Sequence, residues 1–125
     1  MKPSTGLGNR LVPALLVRDM EETLRFYKKL GFELTGCYPM GKPTWAEVRR
    51  DSVTLQFHTE SPHGTPRTPV FSGTLYVFPE NVTALANEYR DKVEFAWGPE
   101  VMDYGMREFA VKDPNGYFLA FSEPA

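Results

Sequence analysis

The chain has 125 residues, of which 16 are acidic and 14 are basic, and its formal net charge at pH 7 is −2. A chain of this length is expected to form a single domain, 1–125. Because it has no run of basic residues, we expect it to bind no nucleic acid. Its only cysteine, Cys37, cannot form an internal disulfide, which fits a reducing compartment. No apolar run approaches the ~18 residues of a membrane span, and residues 1–10 lack the apolar region of a signal peptide. We therefore expect a cytoplasmic protein with no membrane partner.

The first predicted strand covers residues 11–17, a short apolar run that contains Pro13. Proline has no backbone N–H to donate, so this strand is expected at a sheet edge, at a bulge or where the chain crosses to another subunit. The residues before it include Pro3, Gly6 and Gly8 and show no periodicity. They are predicted to form an arm that is flexible or lies against a partner.

A helix is predicted over residues 20–30. Asp19 followed by Glu22 is typical of a helix N-terminus, and Gly31 suits the position just after the last helical residue. Apolar side chains recur on one face at helical spacing, at Met20, Leu24, Tyr27 and Leu30. This face is expected to pack against a sheet.

The pattern of elements then repeats. Three strands are predicted after the helix, at residues 32–38, 44–50 and 53–59. Residues 60–69 contain three prolines and a glycine and are predicted to be a linker. A second series follows, with a strand at 73–78, a helix at 82–90 that begins after Asn81, and a strand at 92–97.

The C-terminal stretch predicts a β-hairpin. Two apolar-rich runs, residues 107–112 and 117–122, flank Asp113-Pro114-Asn115-Gly116. The proline presets a turn and the Asn-Gly pair tolerates positive φ, so the two runs are expected to be neighbouring antiparallel strands.

Both halves therefore read as a strand, a helix and three further strands, in modules of about 11–60 and 70–125. Neither half alone would hold enough core to fold. The predicted class is α+β, with two tandem βαβββ modules whose sheets associate edge to edge into a curved mixed sheet, with the helices outside and a cleft inside.

Alternation along the strands separates side chains that pack under the helices from side chains on the opposite face of the sheet. The opposite face collects aromatic and polar groups, as small-molecule clefts do: Trp45, Glu47, Arg49, Thr54, Gln56, His58, Tyr76, Phe78 and Phe118. Tyr104 borders the last strands and is placed over the same cleft. Parity alone leaves a subunit interface or a second core layer as an equally good interpretation of this face.

In its order and spacing the chain resembles the vicinal oxygen chelate superfamily, and within it the bleomycin resistance proteins and their glyoxalase-like relatives. The resemblance spans residues 11–123 and rests on the duplicated modules, on Val17-Arg18-Asp19-Met20-Glu21, on Leu30-Gly31-Phe32 and on the hairpin sequence. It implies a homodimer with ligand clefts at the junction of the subunits. Pro13 would mark the point where the arm crosses to its partner.

Metal-dependent members of this superfamily place His or Glu ligands at equivalent points of both modules. Carried over by position, these ligands fall at Val12, at or next to Gln56, at Thr74 and at Ala120. Valine and alanine offer no donor atom, and Thr with Gln is a poor ligand pair for a transition metal. The resemblance therefore implies neither a metal nor another cofactor at the usual site.

His58, Glu60 and His63 also lie close together in the sequence. They fall on a strand end and a Pro-Gly loop without fixed geometry, so they are interpreted as exposed polar residues rather than metal ligands. His58 alone is a candidate hydrogen-bond partner in the cleft.

The first hypothesis is metal-free binding and sequestration of an antibiotic-like small molecule, resembling the bleomycin resistance proteins. Trp45, Tyr76, Tyr104 and Phe118 would stack on the ligand, with the Glu47 carboxylate for a cationic group. Arg49 on the same face counts against a strongly cationic ligand. The alternative is an enzyme of the same superfamily, lyase-like or dioxygenase-like, in which Glu47, His58 or Tyr104 transfers a proton without metal.

Overall fold

The computed structural model describes residues 3–8, 10–60 and 68–125 and contains two βαβββ modules in tandem, which confirms the predicted class. The first module consists of β1 (Ala14–Leu16), α1 (Met20–Lys29), β2 (Glu33–Tyr38), β3 (Trp45–Arg50) and β4 (Val53–His58). The second consists of β5 (Thr74–Val77), α2 (Val82–Tyr89), β6 (Phe95–Val101), β7 (Met106–Lys112) and β8 (Phe118–Pro124).

The two sheets have the same strand order. The order is β1-β4-β3-β2 in the first sheet and β5-β8-β7-β6 in the second. β1 is parallel to β4 and β5 is parallel to β8, while the other neighbouring strands are antiparallel. The described residues form no hydrogen-bonded ladder between the two sheets, so the sheet expected to be continuous consists of two four-stranded halves.

Both helices begin as the sequence predicts. The Asp19 carboxylate accepts a hydrogen bond from the Glu22 backbone N–H at 3.0 Å, and the Asn81 side chain accepts one from Ala84 N–H at 2.9 Å. Each side chain thereby satisfies a backbone donor that has no partner inside the helix. Among the described residues, neither helix has the length and hydrophobicity needed to span a bilayer.

β1 and β6 differ most from their predicted bounds, and the other strands differ by only one or two residues at an end. β1 is shorter than residues 11–17, because Pro13 cannot donate; it contributes only its carbonyl, which accepts from Gln56 N at 3.0 Å. β6 begins at Phe95 rather than at residue 92, since the backbone N–H groups of Lys92 and Val93 still donate to the last residue of α2. The hydrogen-bond partners of these backbone groups, rather than side-chain propensity, set both ends.

One hydrophobic core joins the modules. Tyr27 on α1 is fully buried and donates from its hydroxyl to the Asp113 carboxylate in the β7–β8 turn at 2.8 Å. Tyr89 on α2 makes the corresponding crossing, donating to the Leu30 carbonyl at 2.7 Å. An ion pair between Arg50 and Glu88, 2.8 Å long, ties β3 to α2. Each helix is therefore anchored to the other module as well as to its own sheet.

Candidate functional site

The face of the first sheet that lies opposite α1, called its outward face below, is polar and centred on Glu47. Its carboxylate accepts hydrogen bonds from the Thr35 hydroxyl at 2.9 Å and from the Gln56 amide at 3.0 Å. The Gln56 bond is the largest cause that lowers the pKa of Glu47, followed by the Thr35 bond, with smaller contributions from the charges of Arg10 and Arg49. Glu47 is thus a fixed acceptor whose charge is offset by two nearby guanidinium groups.

The other predicted residues of this face surround Glu47 at the positions that strand register gives them. Trp45 lies directly opposite His58 on the neighbouring strand, and both are partly buried. The Nδ1 atom of His58 lies 2.8 Å from the Glu60 carbonyl. Arg49 is exposed and donates to the Thr54 hydroxyl at 3.2 Å. His63, which was interpreted as an exposed polar residue, lies outside the described residues.

The outward face of the second sheet is aromatic. Tyr76 and Phe78 stack at 6.3 Å between ring centroids and are 48% and 69% exposed. Trp97 and Phe118 contact each other at 5.5 Å with their planes tilted by 41°. Trp97 is partly buried and belongs to this surface. Two pairs of accessible ring faces are therefore available to a flat ligand.

Beneath these rings lies a carboxylate that the sequence analysis did not single out. Glu108 on β7 is 1% exposed, and its oxygens accept from Trp97 Nε1 at 2.8 Å, from the Tyr104 hydroxyl at 2.7 Å and from the Ser122 hydroxyl at 3.2 Å. Three donors satisfy a buried charge that would otherwise be costly. The alternation of Glu108 with Phe109 and Val111 placed it on this face, but its burial depends on rings from other segments.

Tyr104 is held in this network rather than hanging free over the face. Its hydrogen bond to Glu108 raises its pKa well above that of an ordinary tyrosine, with a further contribution from the neighbouring Tyr76. The phenol is therefore protonated at neutral pH and acts as a hydrogen-bond donor, with its ring fixed beside Tyr76 and 58% exposed.

The structure brings the predicted residues together in two separate sets. In the first set Glu47 and Gln56 contact one another, and in the second Tyr104 lies beside Tyr76. Within the described residues no hydrogen bond, ion pair or ring contact joins the first-sheet set to the second-sheet set. A groove of about 540 Å³ lies between the β3–β4 turn and α2; Phe78 contributes to its lining, but none of the eight predicted ligand-binding residues does.

The four positions carried over as metal-ligand positions occupy matching places in the two modules. In the first module Gln56 pairs with Ala14, and Val12 lies two residues before Ala14. In the second module Ala120 pairs with Tyr76, and Thr74 lies two residues before Tyr76. Among residues 3–8, 10–60 and 68–125, no three His, Cys, Asp or Glu side chains are grouped as a metal site.

The fold and its duplicated faces place the chain in a known class. The chain belongs to the Glyoxalase/Bleomycin resistance protein/Dioxygenase superfamily, which matches residues 10–121. No curated protein sequence matches it.

Three solved structures illustrate the likeness. A bleomycin-binding protein complexed with bleomycin is 19% identical with a TM-score of 0.71, and covers 94% of this chain and 99% of its own. TnmS3, an antibiotic binding protein from Streptomyces sp. CB03234, is 20% identical with a TM-score of 0.73, over 98% and 100% of the two chains. TioX from Micromonospora sp. ML1 is 17% identical with a TM-score of 0.76, over 94% and 100%. At these identities the comparison establishes a shared fold.

Proposed function

We propose that this protein binds and sequesters a small antibiotic-like molecule that has a planar aromatic part, without a metal and without altering it chemically. The observation that carries the proposal is the aromatic face of the second sheet. Two ring pairs remain partly exposed there, although burying them would have favoured folding. Similar folds in a bleomycin-binding protein and in an antibiotic-binding protein support the same role.

The proposed ligand-binding residues are those predicted from the sequence, with the first sheet supplying polar contacts and the second supplying stacking. They are Trp45, Glu47, Arg49, Gln56, His58, Tyr76, Tyr104 and Phe118. Because no hydrogen bond, ion pair or ring contact joins the two sets among the described residues, we propose that a cleft forms where the first sheet of one subunit faces the second sheet of its partner in a homodimer. Such an arrangement would bring polar and aromatic walls to the same ligand.

The N-terminal arm supports a dimer of this kind. Leu7 is 99% exposed and Leu11 is 89% exposed, although both are large apolar side chains on a segment that leads into β1. Covering them would stabilise the protein by removing apolar surface from water. We propose that Pro13 is the hinge at which the arm passes to the partner subunit.

The enzymatic alternative requires a group that can exchange protons at neutral pH. Tyr104 is a poor base, since its hydrogen bond to Glu108 raises its pKa. The bonds from Gln56 and Thr35 lower the pKa of Glu47, which makes it a poor general acid. These directions disfavour Tyr104 as a general base and Glu47 as a general acid.

Binding is tested by thermal-shift screening of antibiotics and metabolites, followed by mass spectrometry of the recovered compound. A ligand that binds only the native state raises the unfolding midpoint. Recovery of the unchanged compound supports sequestration, whereas a modified product would show an enzyme. Stoichiometric tightly bound divalent metal in the purified protein would refute the metal-free part of the proposal.

The site itself is tested by Trp45→Ala. Because Trp45 is only partly buried, we expect weaker ligand binding with little change in melting temperature. Leu34→Ala is the matched control: Leu34 is 52% exposed on neighbouring β2 and pairs with the core residue Val48 rather than with the polar face. An equal loss of binding in both variants, or a large loss of stability in Trp45→Ala alone, would contradict the assignment of Trp45 to the site.

A further inference from the structure

The buried Glu108 carboxylate forms no salt bridge within the part of the chain that the structure describes. Its three partners are the neutral donors of Trp97, Tyr104 and Ser122. Neutral donors stabilise the charge without cancelling it. The field of the ionised carboxylate therefore reaches the rings that donate to it, because burial keeps water away from the carboxylate itself.

Two of the three donors are themselves aromatic. When the Trp97 N–H and the Tyr104 O–H donate to a carboxylate, electron density shifts towards their rings, and the face of an aromatic ring already carries the negative lobe of its quadrupole. Trp97 contacts Phe118, and Tyr104 lies beside Tyr76. The carboxylate is thus linked to both ring pairs of the face.

A native cation already uses one of these rings. The Lys112 ammonium lies 5.6 Å from the centroid of Phe118, within the range of a cation–π contact. Lys112 is exposed and pairs with Phe118 across β7 and β8. The face is therefore compatible with a positive group resting on its rings.

The first sheet offers a contrast. Glu47 is also hydrogen-bonded by two neutral side chains, but the charges of Arg10 and Arg49 act on it as well. Its field on a ligand is partly cancelled by these guanidinium groups. The charge that can discriminate between ligands is therefore at Glu108, in the second sheet.

We propose that Glu108 is a specificity-determining residue, which makes the aromatic face of the second sheet prefer planar organic cations over neutral molecules of the same shape. The ligand class is a flat heteroaromatic ring system with a fixed positive charge or a protonated amine at its edge. This inference rests on the proposed function and narrows its ligand. Glu108 acts through the rings that it hydrogen-bonds, since at 1% exposure it does not contact the ligand.

The test compares two probes of nearly equal shape, N-methylacridinium and acridine, at a mildly alkaline pH where acridine is uncharged. Fluorescence titration of the wild-type protein is expected to show about tenfold tighter binding of the cation. Glu108→Gln should abolish most of this preference while leaving the affinity for acridine within about twofold, because glutamine keeps an acceptor but carries no charge. Glu94→Gln, which removes an exposed carboxylate before β6, is the matched control and should retain the preference.

A second variant covers the case in which Glu108→Gln fails to fold. Lys112→Gln removes the native cation from the Phe118 ring at an exposed position, and it should tighten N-methylacridinium binding several-fold without changing acridine binding. Equal affinities of the wild-type protein for the two probes would overturn the inference, as would an unchanged preference in a folded Glu108→Gln protein or binding of neither probe. The proposed function is judged separately by the antibiotic screen, so a neutral compound bound and recovered intact would sustain it while refuting Glu108 as a selector.

Discussion

The bulge in β6 allows a sharp test of how the aromatic face is held in place. Gly98 has φ of +73°, and a Cβ added there would lie 2.1 Å from the Glu108 carbonyl oxygen and 2.9 Å from Phe109 Cα. Both contacts are with the backbone of β7, so no side-chain rotation relieves them. In Gly98→Ala, β6 must move away from β7, which disrupts the strand that carries Trp97 to its hydrogen bond with Glu108.

The expected cost of Gly98→Ala follows from two contributions. Placing an L residue in the left-handed region costs about 1–2 kcal/mol, and separating the strands adds about 2–3 kcal/mol from lost backbone and indole hydrogen bonds. The total is roughly 4 kcal/mol. For a domain of this size that lowers the melting temperature by roughly 12–20 °C.

Gly105→Ala is the matched control, because Gly105 has φ of +86° but nothing within 4 Å of an added Cβ. It carries only the conformational cost, partly offset by the reduced entropy of the unfolded chain, so about 1 kcal/mol is expected. Urea denaturation of the two variants measures the difference. If Gly98→Ala were as stable as Gly105→Ala, the close approach of β6 to β7 described above would be wrong.

Two further predictions concern the junction between the modules. Tyr27→Phe should lower the free energy of unfolding by about 2 kcal/mol, because it removes a donor from the buried Asp113 carboxylate. Tyr38→Phe, at a residue 71% exposed, should change it by less than about 0.5 kcal/mol, and equal effects in urea denaturation would contradict the buried bond. The Arg50 hydrogen bond is the largest cause that lowers the pKa of Glu88 in the folded state. This interaction therefore stabilises the protein fully above the pKa of an unfolded glutamate, about 4.3, and the stabilisation is lost as pH falls through the lower pKa of Glu88 in the folded protein. Wild type should therefore lose more stability on acidification below about pH 4.3 than Glu88→Gln does, and parallel pH profiles would count against the pair.

Much of the fold could be predicted because its signals are local. Asp19 and Asn81 cap their helices as expected, and Leu55, Phe57 and Leu119, which alternate along their strands with residues predicted on the opposite face, are buried in the core. A cap needs only a short polar side chain a few residues from a backbone N–H, and alternation needs only the pleat. These features do not depend on where the rest of the chain lies.

The parts that the sequence did not predict depend on distant segments. β6 contains register shifts on both sides of Trp97, and a bulge changes which face a residue occupies without leaving a reliable trace in hydrophobic alternation. Glu108 belongs to the residue type least often buried alone, and its partners come from β6, the following turn and β8. The sequence therefore predicted which residues share a face of each sheet, but not the buried carboxylate that lies beneath the aromatic residues.

Alternation also has an evolutionary consequence on β7 and β8. Phe109, Val111, Leu119 and Phe121 are anchored inside the protein, and the residues between them point to the opposite face. Ala110 and Ala120 on that face are also fully buried, but an exposed position there, such as Lys112, can be substituted without disturbing the core, and under the proposed function it can change which ligand binds. Because core residues and residues of the opposite face are separate along each strand, the core can be kept while the other residues change. This offers a physical reason why this chain shares its architecture with solved structures that are only 17–20% identical to it.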